Sequence, residues 1–282
     1  MLKTVFIGGL TNGRIVYDYL KENKNVSLCL SITYPDEYTG ARHVAFENND
    51  NVIKSLTIKD SIQKIRDLNP DIIFVAGWSE LIPTELLNIP PMGVIGFHPA
   101  KLPYDRGRSV LAWQIADGYT ETALTMFKYT NYPDGGDILA QERIIIENSD
   151  YINDVLDKID ESTLNIMRAY FPLLRQGLLV PQKQDLSAGN FRRLRGENDS
   201  LINWDSPAKV IYDKIRAISH PYPGAQTSIE NKTINVWRSE ILKDFPLGKD
   251  AHPGTLIAKC YDNSLIIKTR DSFIHITEWE SK

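Results

Sequence analysis

Residues 71–98 read DIIFVAGWSELIPTELLNIPPMGVIGFH, and two short apolar runs inside them decide the architecture. DIIFVAGW and MGVIGFH are continuous rather than alternating, the pattern of strands buried on both faces. Each is of strand length and carries Gly or Pro at its margins. Toward the N-terminus, KTVFIGG predicts a first strand and NVSLCLSIT a second, with GRIVYDYLKEN between them as a helix. That helix places Ile15, Val16, Tyr19 and Leu20 on one face. DSIQKIRDLN predicts another, with Asp60 as N-cap, Ile62, Ile65 and Leu68 inward, and Asn69-Pro70 as its stop. Toward the C-terminus, SVLAWQIADG predicts a short helix closed by Gly118, and ALTMFKYT and DILAQERIII two more strands. Strands alternating with helices indicate the α/β class, with a doubly wound, mainly parallel sheet.

From Ser149 the pattern changes. Ser149 or Asp150 can cap a long amphipathic helix with Ile152, Val155, Leu156, Ile159, Ile166, Met167 and Phe171 inward, ended by Gly177. QDLSAGNFRRLRGENDS is polar and lacks periodicity, so it reads as a linker. PAKVIYDKIRAI is a further amphipathic helix stopped by HPYPG. Short strands separated by turn residues follow, a small barrel-like β module. The expected division is an α/β domain over residues 1–180, a linker over 181–205 and a β-rich domain over 206–282.

Charge and cysteine usage narrow the function classes. The 282 residues carry a formal net charge of −4, whereas a chain that grips a nucleic-acid backbone usually shows a basic surplus. Nucleic acid is therefore an unexpected partner. No apolar run approaches the roughly 18 residues of a membrane span, and MLKTVFIGG reads as a strand rather than a signal peptide. Cys29 and Cys260 lie far apart in strand-like runs with no CxxC neighbour. Buried thiols in a reducing, cytoplasmic compartment are expected, and no metal site.

Three stretches carry candidate chemistry. FIGGLTNG follows the first strand, but it lacks the GxGxxG spacing, and the second strand does not end in an acid. A tight turn into the first helix is the preferred reading. His98 ends a central strand, and open α/β sheets bind ligands beyond the carboxyl ends of their strands. YPDGGDIL places Asp134 and Asp137 around a Gly-Gly pair. If this turn reaches the sheet edge of His98, Asp137 can accept from the imidazole and fix its tautomer. A His–Asp pair with no Ser or Cys nucleophile suits proton transfer and oxyanion stabilisation.

Together, DIIFVAGWSELIPTELLNIPPMGVIGFHPAKLPYDRG and ALTMFKYTNYPDGGDIL resemble the 10-formyltetrahydrofolate-dependent formyltransferase family. That family's signature is a histidine in an HxxxLPxxRG loop followed, some forty residues on, by an aspartate in a DxGD turn. The segment RRLRGENDSLINWDSPAKVIYDKIRAISHPYPGA is similar, more loosely, to the linker ahead of the small β-barrel domain of methionyl-tRNA and amino-sugar formyltransferases. The resemblance assigns His98 to the family histidine and Asp137 to the family aspartate. It gives Gly96 the position of a catalytic asparagine, so the oxyanion role lacks its side chain. Protonated His98, a backbone N–H near Gly96 or Asn131 are open as replacements, as are a more reactive amine and an altered transferase.

The resemblance further implies 10-formyltetrahydrofolate as formyl donor, held by Trp78, Leu81, Ile82, Asp134 and Gly136. Lys101, Tyr104, Arg106 and Arg108 would rim the acceptor site, the cations meeting phosphates. Residues 33–50, TYPDEYTGARHVAFENND, stand where tRNA-reading relatives tend to carry a basic insertion, and acids outnumber bases there. A small anionic acceptor is expected, a nucleotide-linked amino sugar. The alternatives are methionyl-tRNA as acceptor, or a non-catalytic folate- or nucleotide-binding relative. The C-terminal module is a candidate contact for a homodimer.

Overall fold

The computed structural model describes residues 1–282. In chain order the first elements are β1 (Leu2–Gly8), α1 (Thr11–Glu22), β2 (Val26–Thr33), β3 (Val52–Lys54), α2 (Ile62–Leu68), β4 (Ile72–Ala76), α3 (Thr84–Leu87) and β5 (Val94–His98). There follow β6 (Arg106–Gly107), α4 (Val110–Ala116), β7 (Glu121–Lys128), β8 (Ile138–Ile145), α5 (Ile152–Arg175) and β9 (Phe191–Arg192). The chain closes with α6 (Ala208–Ile218), β10 (Ala225–Ile229), β11 (Lys232–Leu242), β12 (Leu256–Lys259), β13 (Leu265–Lys268) and β14 (Phe273–Ser281).

One seven-stranded sheet has the order β3-β2-β1-β4-β5-β7-β8. Pairing is parallel from β3 through β5 and turns antiparallel at β7, where His98 lies opposite Thr125. All five residues of β4 are buried, as its continuous apolar run requires. One face of the sheet packs Val5, Ile7, Leu30, Ile32, Ile73, Val75 and Val94 against Ile62 and Ile65 of α2. Each fully buried aliphatic side chain there contributes about 1.5–3 kcal/mol. On the other face Phe74 meets Phe171 of α5, with ring centroids 5.9 Å apart.

Asp60 does not cap α2. It lies in a 3₁₀ turn over Lys59–Ser61, and the Glu80 carboxylate instead takes the Ile58 N–H at 2.9 Å. The second sheet is antiparallel, in the order β10-β11-β14-β13-β12. Its β10–β11 hairpin turns on Glu230 and Asn231, both at positive φ, which is how a two-residue loop matches the strand twist.

The chain forms two compact units, and neither is contiguous in sequence. Met1–Gly107, Ala123–Ile144 and Asp157–Phe191 make the first; Arg108–Thr122, Ile145–Leu156 and Arg192–Lys282 make the second. The contiguous division expected from sequence differs from this: Arg108–Thr122 and Ile145–Leu156 belong to the second unit, and the expected linker is divided after Phe191. Helix α4 packs on α6 and so joins the second unit.

Candidate active site

His98 ends β5, and the segment after it turns back on the imidazole. The ring Nε2 lies 2.8 Å from the Asp105 carbonyl oxygen, an acceptor, so Nε2 carries a proton and donates it there. Asp105 makes that contact from a positive φ of 52°. Its position is fixed twice by Asn190, whose side-chain oxygen accepts from the Asp105 N–H at 3.0 Å and whose amide donates to the Asp105 carboxylate at 2.8 Å. Upstream, the Thr125 hydroxyl donates to the Ala100 carbonyl at 2.6 Å, and Gln141 donates to the Leu102 carbonyl at 2.9 Å. The charged, proline-bearing loop after His98 is thus a scaffold that aims its backbone at the histidine.

The turn between β7 and β8 runs back along β5, with Tyr129 against Gly96 and Asp134 beside His98. The Asp134 Oδ2 lies 3.7 Å from His98 Nδ1 and accepts the Gly107 N–H at 2.8 Å. In this structure the carboxylate facing the imidazole is Asp134, where the sequence pattern and the resemblance point to Asp137. Asp137 leads into β8, where its carbonyl accepts the Lys128 N–H in the hairpin ladder, and its carboxylate makes no hydrogen bond or ion pair. Asp134 instead sits at the turn with φ of 52°, which swings its side chain toward the histidine. Gln184 clamps the turn by donating to the carbonyls of Asp134 at 2.8 Å and Gly136 at 2.5 Å. Gly136 is glycine because a Cβ there would overlap the Lys128 carbonyl, a packing requirement of the hairpin.

Arg106, expected on the acceptor rim, is buried at 2% exposure. Its guanidinium lies 4.4 Å from the Phe191 ring centroid and 5.4 Å from that of Tyr132, and Nη2 donates to the Leu186 carbonyl at 3.3 Å. It pins its own turn to residues 186–191 and is not available at a rim. Lys101 and Tyr104 are exposed on the same loop. Arg108 is exposed in the second unit.

The loop over residues 77–82 is held on both sides. The Ser79 N–H donates to the Tyr34 hydroxyl at 2.7 Å, and Glu80 accepts from Thr57 and Ile58. Trp78 stacks on Tyr34 with centroids 4.3 Å apart, and Trp78 and Ile82 pack on the edge of the sheet core. Leu81 is 78% exposed, a large apolar side chain left unpacked. The indole Nε1 of Trp78 is buried without a hydrogen-bond partner. An apolar wall beside an unused buried donor fits a flat heterocycle with acceptor atoms on its edge, which is the chemistry of a pterin. The glycine turn after β1 serves packing instead, since a Cβ at Gly8 or Gly13 would strike the Ala76 carbonyl of β4.

Sequence reading missed Asp105, Tyr129, Gln184 and Asn190. Gln184 and Asn190 lie in the segment without periodicity, where no pattern marks them. Tyr129 closes the predicted strand ALTMFKYT, and that position was its only signal.

Known proteins share the sequence pattern and the fold of this chain. Residues 2–169 match the family described as formyl transferase, and residues 196–282 match formyl transferase, C-terminal domain. A methionyl-tRNA formyltransferase of Bacillus cytotoxicus is 30% identical over 289 residues, covering 99% of this chain and 90% of that protein. The N-formyltransferase of Helicobacter canadensis, solved with folinic acid and dTDP-3-aminofucose, superposes with a TM-score of 0.74 at 15% identity, over 99% of this chain and 100% of that one. HypX of Aquifex aeolicus in complex with tetrahydrofolic acid gives 0.73 at 17% identity; this chain spans 44% of its length. A relative named for tRNA removes the support for excluding nucleic acid, because near-neutral net charge describes the whole chain and not its local surface. No helix is long and apolar enough to cross a membrane. Members of the matched family are enzymes that transfer formyl groups, with 10-formyltetrahydrofolate as donor. The chain belongs to the formyl transferase family.

Proposed function

We propose that this chain moves a formyl group from 10-formyltetrahydrofolate to the primary amine of a small anionic acceptor, of the class of nucleotide-linked amino sugars. The observation that carries the reading is His98, tied at Nε2 by a backbone carbonyl and facing Asp134 with Nδ1. Trp78, Leu81 and Ile82 would hold the donor, which supplies the formyl group when bound. Nδ1 takes a proton from the attacking amine as the new C–N bond forms, and Asp134 stabilises the resulting imidazolium. The same proton is returned to the departing nitrogen as the old C–N bond breaks, so no covalent enzyme adduct is needed.

The small-acceptor reading is supported by the exposed Lys101 on the loop that orients His98, and by the fold shared with an N-formyltransferase solved with dTDP-3-aminofucose. Methionyl-tRNA is the second reading, favoured by the 30% identity to a protein of that name over nearly the whole chain. Single-turnover formylation with a panel of nucleotide-linked amino sugars and with methionyl-tRNA, beside gel shifts at two salt concentrations, separates them. Formylated sugar with no salt-dependent tRNA binding supports the first; tight, salt-dependent binding with formylated tRNA assigns the second. Folate binding with no transfer to any amine overturns the enzyme reading.

A further inference from the structure

The acid–base pair described above needs a companion. A carbonyl under attack by an amine gathers negative charge on oxygen, and a positioned neutral donor there is worth about 10²–10³ in rate. The obvious donors around His98 are already engaged. Its Nε2–H is held by Asp105, the Gly107 N–H is taken by Asp134, and Gly96 is paired on both sides in the sheet, with Val75 and Phe127. Asn131 is exposed on the turn.

One side chain fills the space beside Gly96. A Cβ built on Gly96 would collide with the edge of the Tyr129 ring, meeting Cε2 first and then Cζ at 2.9 Å, the carbon that bears the hydroxyl. The ring is wedged against Phe127, centroids 4.9 Å apart, and against the sheet core. Its hydroxyl makes no hydrogen bond within the chain, and the residue is half-buried. Burial first, and the negative charge of Asp134 second, push the phenol well above its ordinary range, so it remains a protonated donor.

We infer that Tyr129 is the catalytic residue that donates a hydrogen bond to the formyl oxygen, supplying from the end of β7 what Gly96 cannot supply from β5. This rests on the proposed formyl transfer and adds a residue to it. Tyr129→Phe keeps the ring and removes the donor. With whichever acceptor the wild type formylates, the single-turnover rate should fall about 10²-fold while the acceptor KM stays within twofold. A binding readout stands apart from turnover: fluorescence titration with 10-formylfolate and with folate. The wild type should prefer the formylated ligand, and Tyr129→Phe should lose about fivefold of that preference, the worth of one neutral hydrogen bond, with folate affinity unchanged. In a second variant pair, Tyr129→Ala should be slow, and adding Gly96→Asn to it should recover at least tenfold by placing an amide in the vacated space. An unchanged ligand preference in Tyr129→Phe overturns the inference even if the wild type proves an active transferase. A wild type that binds neither ligand overturns it together with the reading it rests on.

Discussion

Each compact unit buries one arginine, and the two are kept in opposite ways. Arg216 of α6 is 1% exposed and well partnered: Nε donates to Asp213 at 2.7 Å, and Nη1 to the Asp150 carbonyl at 2.9 Å. Arg106 is 2% exposed, yet it has no carboxylate partner, and its Nε and Nη1 have no acceptor. Two aromatic rings and one long hydrogen bond hold it. A buried charge with unused donors is costly. It persists at the turn whose flanking residues, Asp105 and Gly107, aim at His98 and Asp134. Around α6 polar groups point at each other and serve stability. Around β5 they point at a place where chemistry can occur, and local satisfaction is incomplete. Functional sites are where such rules are expected to break.

The largest effect that tests this contrast is at His98. His98→Asn should lower formyl transfer by about 10²–10⁴, because it removes the imidazole base and leaves only the weaker base Asp134 beside it, while the thermal midpoint moves little. A variant that kept its rate would place the chemistry elsewhere. Arg216→Met should do the reverse. Stranding Asp213 with only Lys209 as partner costs about 3–5 kcal/mol in urea unfolding, with the rate per folded molecule retained. Arg106→Met, which removes an already unpaired charge and keeps an apolar stem between Phe191 and Tyr132, should cost no more than about 1.5 kcal/mol. Equal losses for the two arginines would erase the distinction.

The two aspartates of the turn sharpen it further. Asp134→Asn leaves an oxygen to accept the Gly107 N–H but removes the charge facing Nδ1, so the rate should drop about 10²-fold, roughly 2.7 kcal/mol. Asp137→Asn, with no side-chain partner to lose, should stay within about twofold. Reversed results in single-turnover assays would restore the reading from the sequence pattern alone.

That pair also shows what a sequence carries and what it leaves out. Continuous apolar runs revealed β4 and β5 because burial on both faces leaves no polar alternation to mistake, and His98 stood out by ending one of them. Which aspartate meets the histidine was not readable, since both lie in DGGD and the choice depends on the positive φ of Asp134. Arg106 misled for a similar reason: a charge in a loop is ordinarily solvated, and only the fold brings Phe191 against it. Gln184 and Asn190 act through backbone contacts some fifty and eighty-five residues away, which no local period encodes.

The smallest expected effect concerns Tyr129 and appears only in alkali. The folded phenol holds its proton more tightly than the unfolded one, whose pKa is near 10.0. Below that pH both states are protonated and the stability is fully present. As pH rises above it, unfolded chains release the proton first, so the folded state binds more protons and stability declines with pH. The slope for one proton is at most about 1.4 kcal/mol per pH unit. Urea unfolding of the wild type should therefore weaken between pH 9 and pH 11 by up to ~1.4 kcal/mol more than that of Tyr129→Phe, which has no proton to release. Other buried tyrosines contribute equally to both proteins and cancel in the difference. Parallel curves for the two would mean that the hydroxyl already meets solvent. Tyr129 would then lose the sheltered position that separates the polar groups around β5 from those around α6.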